Sequence, residues 1–121
     1  MKLLAAADRI ETVATQLTKA EVAPVLEAIR KVRPDLAVTE AELCSVEQLL
    51  HFVDRVVPGW SILLRGDALE PDGHWRCTLR ENVSRDSDEY IGVGKGASLS
   101  SAILAATLRV IDSQVSPQAY K

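Results

Sequence analysis

Apolar residues recur every three or four positions through the first third of the chain, which is the spacing of one face of an amphipathic helix. The first stripe predicts a helix over residues 3–17. Thr18 and Glu21 form a T-x-x-E pattern that suggests a second helix start, but Pro24 fits best in the first turn of a helix. We therefore predict that the second helix covers residues 24–32.

A further apolar stripe follows Ser45, which forms a helix-cap pattern with Gln48, and it stops at Pro58 and Gly59. The period then changes from 3.6 to 2, which is typical of β-strands. Short connections between the alternating runs favour three antiparallel strands in meander order. The positions predicted to face the core are Trp60, Ile62, Leu64, Trp75, Cys77, Leu79, Ile91 and Val93.

The last helix is predicted to begin after Ser98 and to carry apolar residues on two opposite faces. Leu104, Leu108 and Ile111 lie on the face opposite to the one expected to contact the sheet. A helix with two apolar faces needs two partners. These three residues are therefore a candidate interface, either with the N-terminal helices or with the second subunit of a twofold homodimer.

The order of elements from Ser45 onward is α-β-β-β-α, which predicts an α+β fold with both helices on one face of the sheet. By the same patterns the chain divides into an N-terminal helical extension over 1–43, the α-β-β-β-α domain over 44–113, and a flexible tail over 114–121.

Composition narrows the possible functions without choosing one. The chain has 14 basic and 17 acidic side chains, a formal net charge of −3, so bulk binding to polyanions has no compositional support. No apolar run reaches the length of a membrane-spanning helix. Cys44 and Cys77 stand alone and no secretory signal precedes them, which favours a cytoplasmic protein with reduced thiols.

The segment G-V-G-K-G-A-S, residues 92–98, invites comparison with phosphate-binding loops but has the wrong spacing for either common type. Two interpretations remain: the free N–H groups at the start of the helix, with Lys95 beside them, bind one anion weakly, or the three glycines only form the turn that joins a strand to a packed helix. We favour the turn. His51 and His74 have no nucleophile or metal ligand at a useful spacing. The sequence therefore predicts no catalytic, metal or cofactor site, and a protein that is not an enzyme.

The outward face of the predicted sheet is the candidate partner-binding surface. Basic side chains interleaved with an aromatic one can hold an acidic protein surface or a nucleic-acid backbone. The candidate residues are Arg65, His74, Arg76, Arg80, Tyr90 and Lys95.

The stretch from Val46 to Ile111 resembles a group of small, mostly uncharacterised phage and prophage proteins. The shared features are a helix ending in P-G-W, a strand with W-x-x-x-L, and a glycine-containing strand that leads into S-x-x-x-A-I-x-x-A-x-L. The resemblance covers a little over half of the chain and implies an α/β sandwich, but it carries no functional residue across. Our leading expectation is a non-enzymatic accessory protein of phage or prophage type that binds another macromolecule. A protein is the leading partner, as for an inhibitor of a host defence or nucleic-acid-handling complex.

The order α-β-β-β-α with a glycine-rich segment before the last helix also resembles the double-stranded RNA-binding domain. That family carries a lysine cluster at this segment, where the present chain has Lys95 followed by G-A-S. The resemblance therefore implies the fold, and leaves weak nucleic-acid binding through Arg65, Arg76, Arg80 and Lys95 as the alternative function.

Overall fold

A computed structural model of the chain describes residues 1–67, 74–81 and 91–115. From the fourth helix onward the elements follow the predicted α-β-β-β-α order, so the predicted α+β fold class is confirmed. The elements are α1 (Leu3–Glu11), α2 (Lys19–Val32), α3 (Glu40–Cys44), α4 (Val46–Val56), β1 (Ser61–Gly66), β2 (Trp75–Arg80), β3 (Ile91–Gly96) and α5 (Leu99–Val115).

The three strands form one antiparallel sheet in the order β1-β2-β3, which is the predicted meander. Leu64 pairs with Cys77, and Cys77 pairs with Gly94, so these three residues share one face of the sheet. Cys77 and Leu79 are fully buried, as their alternation predicted. This face carries the core, and α5 lies against it over β2 and β3.

Helix α5 is the central element of the molecule. One side of α5 contacts the sheet, and α1 and α4 pack against other parts of α5. Leu104, Leu108 and Ile111 are fully buried within the single chain, so the second apolar face is covered by the chain's own helices. The prediction that both flanking helices lie on the sheet needs correction, because α4 packs chiefly on α5.

Glycines, and not the larger apolar residues, form the inward face of β3. Val93 was predicted to face the core, but it lies on the opposite face and is partly exposed. A methyl group added to Gly94 would fall within contact distance of the backbone of α5 at Ala102 and Ala106. The glycines therefore let α5 approach the strand closely, instead of making a turn. The side chain of Ile91 lies outside the described part of the chain.

How far the core extends across the sheet depends on which strands α5 covers. Trp60 and Trp75 were predicted as core residues, and both are partly buried at its edge. Ile62 is in phase with the buried residues of β2, yet it is 37 % exposed. The reason is that α5 covers β2 and β3, whereas β1 packs chiefly against β2.

The N-terminal helices depart from their predicted limits. α1 ends at Glu11, several residues before the predicted end, although Leu17 is still buried. α2 begins at Lys19, so the T-x-x-E pattern is a real capping box: the carboxylate of Glu21 accepts the Thr18 N–H at 2.7 Å.

Pro24 consequently lies inside α2. The prediction that it stands in the first turn of the helix is wrong. Proline removes one helical hydrogen bond, the one its N–H would have donated to the carbonyl of Ala20. Ala20 is exposed, so water can take that place. The capping box and the buried face of α2 outweigh this loss.

Candidate binding surface on the outer face of the sheet

Three cations lie side by side across the face of the sheet that is turned away from α5. Arg65 on β1 pairs with Arg76 on β2, and Arg76 pairs with Lys95 on β3. All three residues are exposed. We call them the basic row. The predicted phase of β1 and β2 thus brings Arg65 and Arg76 together, and the register of β3 adds Lys95.

The basic row is electrostatically costly for the folded chain. Neighbouring strands are about 4.8 Å apart, and like charges directly opposite each other destabilise a sheet. Arg76 bears most of this cost because it has a cation on both sides. An anionic group placed over the row would relieve the repulsion.

Next to the basic row, at a distance of two residues on each strand, lies an uncharged row. It consists of Leu63, Thr78 and Val93, which pair with one another across the sheet. Leu63 is 60 % exposed, the most exposed of the large apolar side chains in the described part of the chain. The outer face therefore offers an apolar patch beside a line of positive charge.

The other predicted surface residues are placed differently. Arg80 lies on the same face but is partly buried and takes part in another interaction. The carbonyl of His74 accepts the Asp67 N–H at 2.9 Å, and both residues line a groove of about 500 Å³ with Gly66. Tyr90 lies outside the described residues, so its predicted role stays a prediction.

A salt-bridge cluster that sequence reasoning missed fixes the β3 side of this surface. Arg109 on α5 donates from Nη1 to Glu11 Oε2 at 2.6 Å and from Nη2 to Glu11 Oε1 at 2.9 Å. Arg109 Nη1 also donates to the carbonyl of Val93 at 2.6 Å, and the Lys95 N–H donates to Glu11 Oε2 at 2.8 Å. We call this the Glu11–Arg109 cluster.

The Glu11–Arg109 cluster joins α1, α5 and the outer edge of β3. The hydrogen bonds that Arg109 donates to Glu11, followed by the one that it donates to Asp8 at 2.8 Å, raise the pKa of Arg109 against the effect of its burial. Arg109 is the one charged residue of α5 between Leu99 and Ile111. A lone charge in an otherwise apolar helix is the sequence signal that could have revealed it.

The start of α5 is closed by its own side chains. Ser98 caps the helix as predicted, since its hydroxyl accepts the Ser101 N–H at 3.2 Å. The hydroxyl groups of Ser98 and Ser101 lie 2.8 Å apart, and that of Ser100 lies 3.2 Å from Ser98; all three residues are buried. The hydroxyls therefore bond to one another, and the segment before α5 presents no open phosphate cradle.

The thiols are poor nucleophiles in the folded chain. Both cysteines are free. Burial raises the pKa of the Cys77 thiol to about 12, and burial also raises the pKa of Cys44. Since the thiolate is the reactive form, neither cysteine is activated.

Within 1–67, 74–81 and 91–115, no three His, Cys, Asp or Glu side chains gather closely enough to hold a metal ion. In the same ranges, no helix combines the length and apolar character needed to cross a bilayer.

Comparison of the chain with protein-family models, with curated proteins and with solved structures gave no match. The two resemblances described above stay predictions. Function has to be inferred from the chain's own surface.

Proposed function

We propose that this protein is a non-catalytic binding module that uses the outer face of its sheet to hold an acidic segment of another protein. The observation that carries the proposal is the basic row of Arg65, Arg76 and Lys95, in register beside the exposed Leu63. Repulsion within the row costs folding stability, and carboxylates of a partner would offset it.

The mixed character of the outer face favours a protein partner over a nucleic acid. Leu63 and Val93 adjoin the basic row, and aliphatic side chains suit a protein segment that alternates acidic and apolar residues. The phage-type resemblance suggests an accessory protein whose partner is a host protein, such as a component of a defence or nucleic-acid-handling complex.

Nucleic-acid binding is the alternative, and the geometry of the basic row limits its strength. Three cations in one row can contact about three phosphates, which gives a slope of roughly −2.7 for log affinity against log salt on duplex DNA. Such binding is weak and independent of sequence at physiological salt.

The proposal is tested with two defined probes, a glutamate-rich peptide containing leucine and a duplex RNA, titrated by fluorescence anisotropy at low and physiological salt. Arg76→Glu should abolish peptide binding, because it places an anion at the centre of the basic row. Arg30→Glu is the matched control, since Arg30 is exposed on α2, which has no extensive contact with the sheet.

Equal losses from Arg76→Glu and Arg30→Glu would mean that only net charge matters, which contradicts the proposal. Tighter binding of the duplex RNA than of the peptide at physiological salt would favour the alternative. Capture of a partner from the native host, with loss of that partner in Arg76→Glu but not in Arg30→Glu, would then identify the protein concerned.

A further inference from the structure

The two edges of the sheet differ in what their backbone groups meet. The Asp67 N–H bonds to His74, so the alternation of an antiparallel ladder turns the N–H and C=O groups of Ile62, Leu64 and Gly66 away from β2. On the other edge, the Lys95 N–H and the Val93 carbonyl also point outward, but Glu11 and Arg109 bond to them. Among the described residues, the edge of β1 has no such cover.

β1 also lacks the features by which edge strands usually avoid pairing. Such strands are protected by proline, by a bulge or by charges in the middle of the strand. β1 has the sequence S-I-L-L-R-G and an unbroken register with β2, and its one charge, Arg65, stands next to its end. Its central residues Ile62 and Leu63 are 37 % and 60 % exposed.

We propose that β1 pairs antiparallel with β1 of a second copy of this chain, with the twofold axis at Leu63. In this register Leu63 lies opposite Leu63 of the second copy on the outer face, and Ile62 lies opposite Leu64 on the inner face. Arg65 lies opposite Ser61, so no like charges meet. The product is one six-stranded sheet with a basic row on each half of its outer face.

The side chains of β1 determine both which strand can pair with it and in which register the two strands pair. Centring the axis on Arg65 would place two guanidinium groups opposite each other, and centring it on Leu64 would set Leu63 against Arg65. Only the axis at Leu63 pairs each aliphatic residue of β1 with another. A second copy therefore supplies the complementary strand, and no other partner is needed.

The dimer shares Leu63 with the proposed binding surface, but its other contacts are made by Ile62 and Leu64, and it uses no residue of the basic row. A short edge-to-edge interface of this kind belongs to the small, transient class, so a dissociation constant in the micromolar range is expected. The dimer should therefore appear in a concentration series and disappear on dilution.

Sedimentation velocity over a wide concentration series tests the pairing. The unaltered chain should shift from monomer to dimer. Ile62→Pro should remain monomeric at every concentration, because proline removes an N–H that points to the free edge and leaves the ladder to β2 in place. Ile62→Val, which keeps both the N–H and the β-branched side chain, should dimerise like the unaltered chain.

Cysteine cross-linking tests the register and does not rely on the proline variant. In a Cys44→Ser background, Leu63→Cys should oxidise rapidly to a covalent dimer, because directly opposite residues in a non-hydrogen-bonded pair have Cα atoms about 4.5 Å apart. Arg65→Cys should not, since four residues of offset separate it from its twin by about 14 Å.

A chain that stays monomeric throughout the series would overturn the proposal. So would a dimer that Ile62→Pro leaves intact, or equal cross-linking of Leu63→Cys and Arg65→Cys. Arg76→Glu serves to separate the two proposals, because it should abolish binding of the acidic peptide while leaving the dimer unchanged.

Discussion

The two edge strands of one small sheet are built in opposite ways. β3 lies under α5, its glycines touch the backbone of that helix, and the Glu11–Arg109 cluster bonds to its outer edge. β1 packs chiefly on β2, and its aliphatic residues stand partly or largely in water. The comparison indicates that tight packing is concentrated on the β3 side, whereas within residues 1–67, 74–81 and 91–115 no element covers the edge of β1.

The largest expected effect comes from adding one methyl group on the β3 side. Gly94→Ala should destabilise the fold by about 3 kcal/mol or more, because the new group meets the α5 backbone at Ala102 and Ala106, which cannot move without displacing the helix. Gly66→Ala on β1 is the matched change. It meets the ring of Trp75, a side chain that can turn aside, and should cost about 1 kcal/mol or less.

Urea unfolding followed by tryptophan fluorescence measures both variants. Equal losses for Gly94→Ala and Gly66→Ala would show that the two edge strands are packed alike, and the comparison between them would fail.

The second-largest expected effect on stability tests the hydrogen bonds that Glu11 and Arg109 make with the outer edge of β3. Arg109→Met should destabilise the fold by roughly 2–3 kcal/mol, because it leaves the Glu11 carboxylate and the Val93 carbonyl without their shared donor. Both charged side chains are mostly buried, at 21 % and 23 % exposure. Asp8→Asn removes the charge of the other carboxylate that accepts from Arg109, but Asp8 is 75 % exposed, so it should cost under about 0.5 kcal/mol.

Thermal unfolding at matched pH compares Arg109→Met with Asp8→Asn. A loss for Asp8→Asn as large as that for Arg109→Met would mean that the cluster acts through surface charge and not through its bonds to β3.

The smallest expected effect is a gain in folding stability and not a loss. Arg76→Thr should stabilise the fold by about 0.2–1 kcal/mol, because it removes the central charge of the basic row and introduces a residue that favours strands. Arg30→Thr on α2 removes the same charge from a helix and should not stabilise. A destabilised Arg76→Thr would show that the row carries no repulsion, and the main support for an anionic partner would be lost.

The sequence predicted the order of elements because that order depends on local signals. The change of period after Gly59 marked the strands, and the caps at Ser45 and Ser98 marked the helices on either side. The same local signals located β3 but assigned the wrong face of it to the core, since a pattern of hydrophobicity assigns Val93 to the core. A glycine face is selected by the nearness of α5, which is a tertiary property.

The candidate surface was predictable only in part for the same reason. Alternation alone assigned Arg65 and Arg76 to the outer face. Their alignment in one row with Lys95 depends on the register across two connections, and register is set by tertiary packing as much as by turn sequence. The pairing of Glu11 with Arg109 joins residues 98 positions apart, so no local pattern could have predicted it.

Hydrogen exchange of individual backbone amides in dilute solution tests the difference between the two edges most directly. The Lys95 amide should exchange slowly, because it donates to Glu11. The amides of Ile62, Leu64 and Gly66 should exchange rapidly in the monomer and become protected as the protein concentration rises. Slow exchange at Ile62 and Leu64 in the dilute monomer, matching that of Lys95, would contradict an open β1 edge.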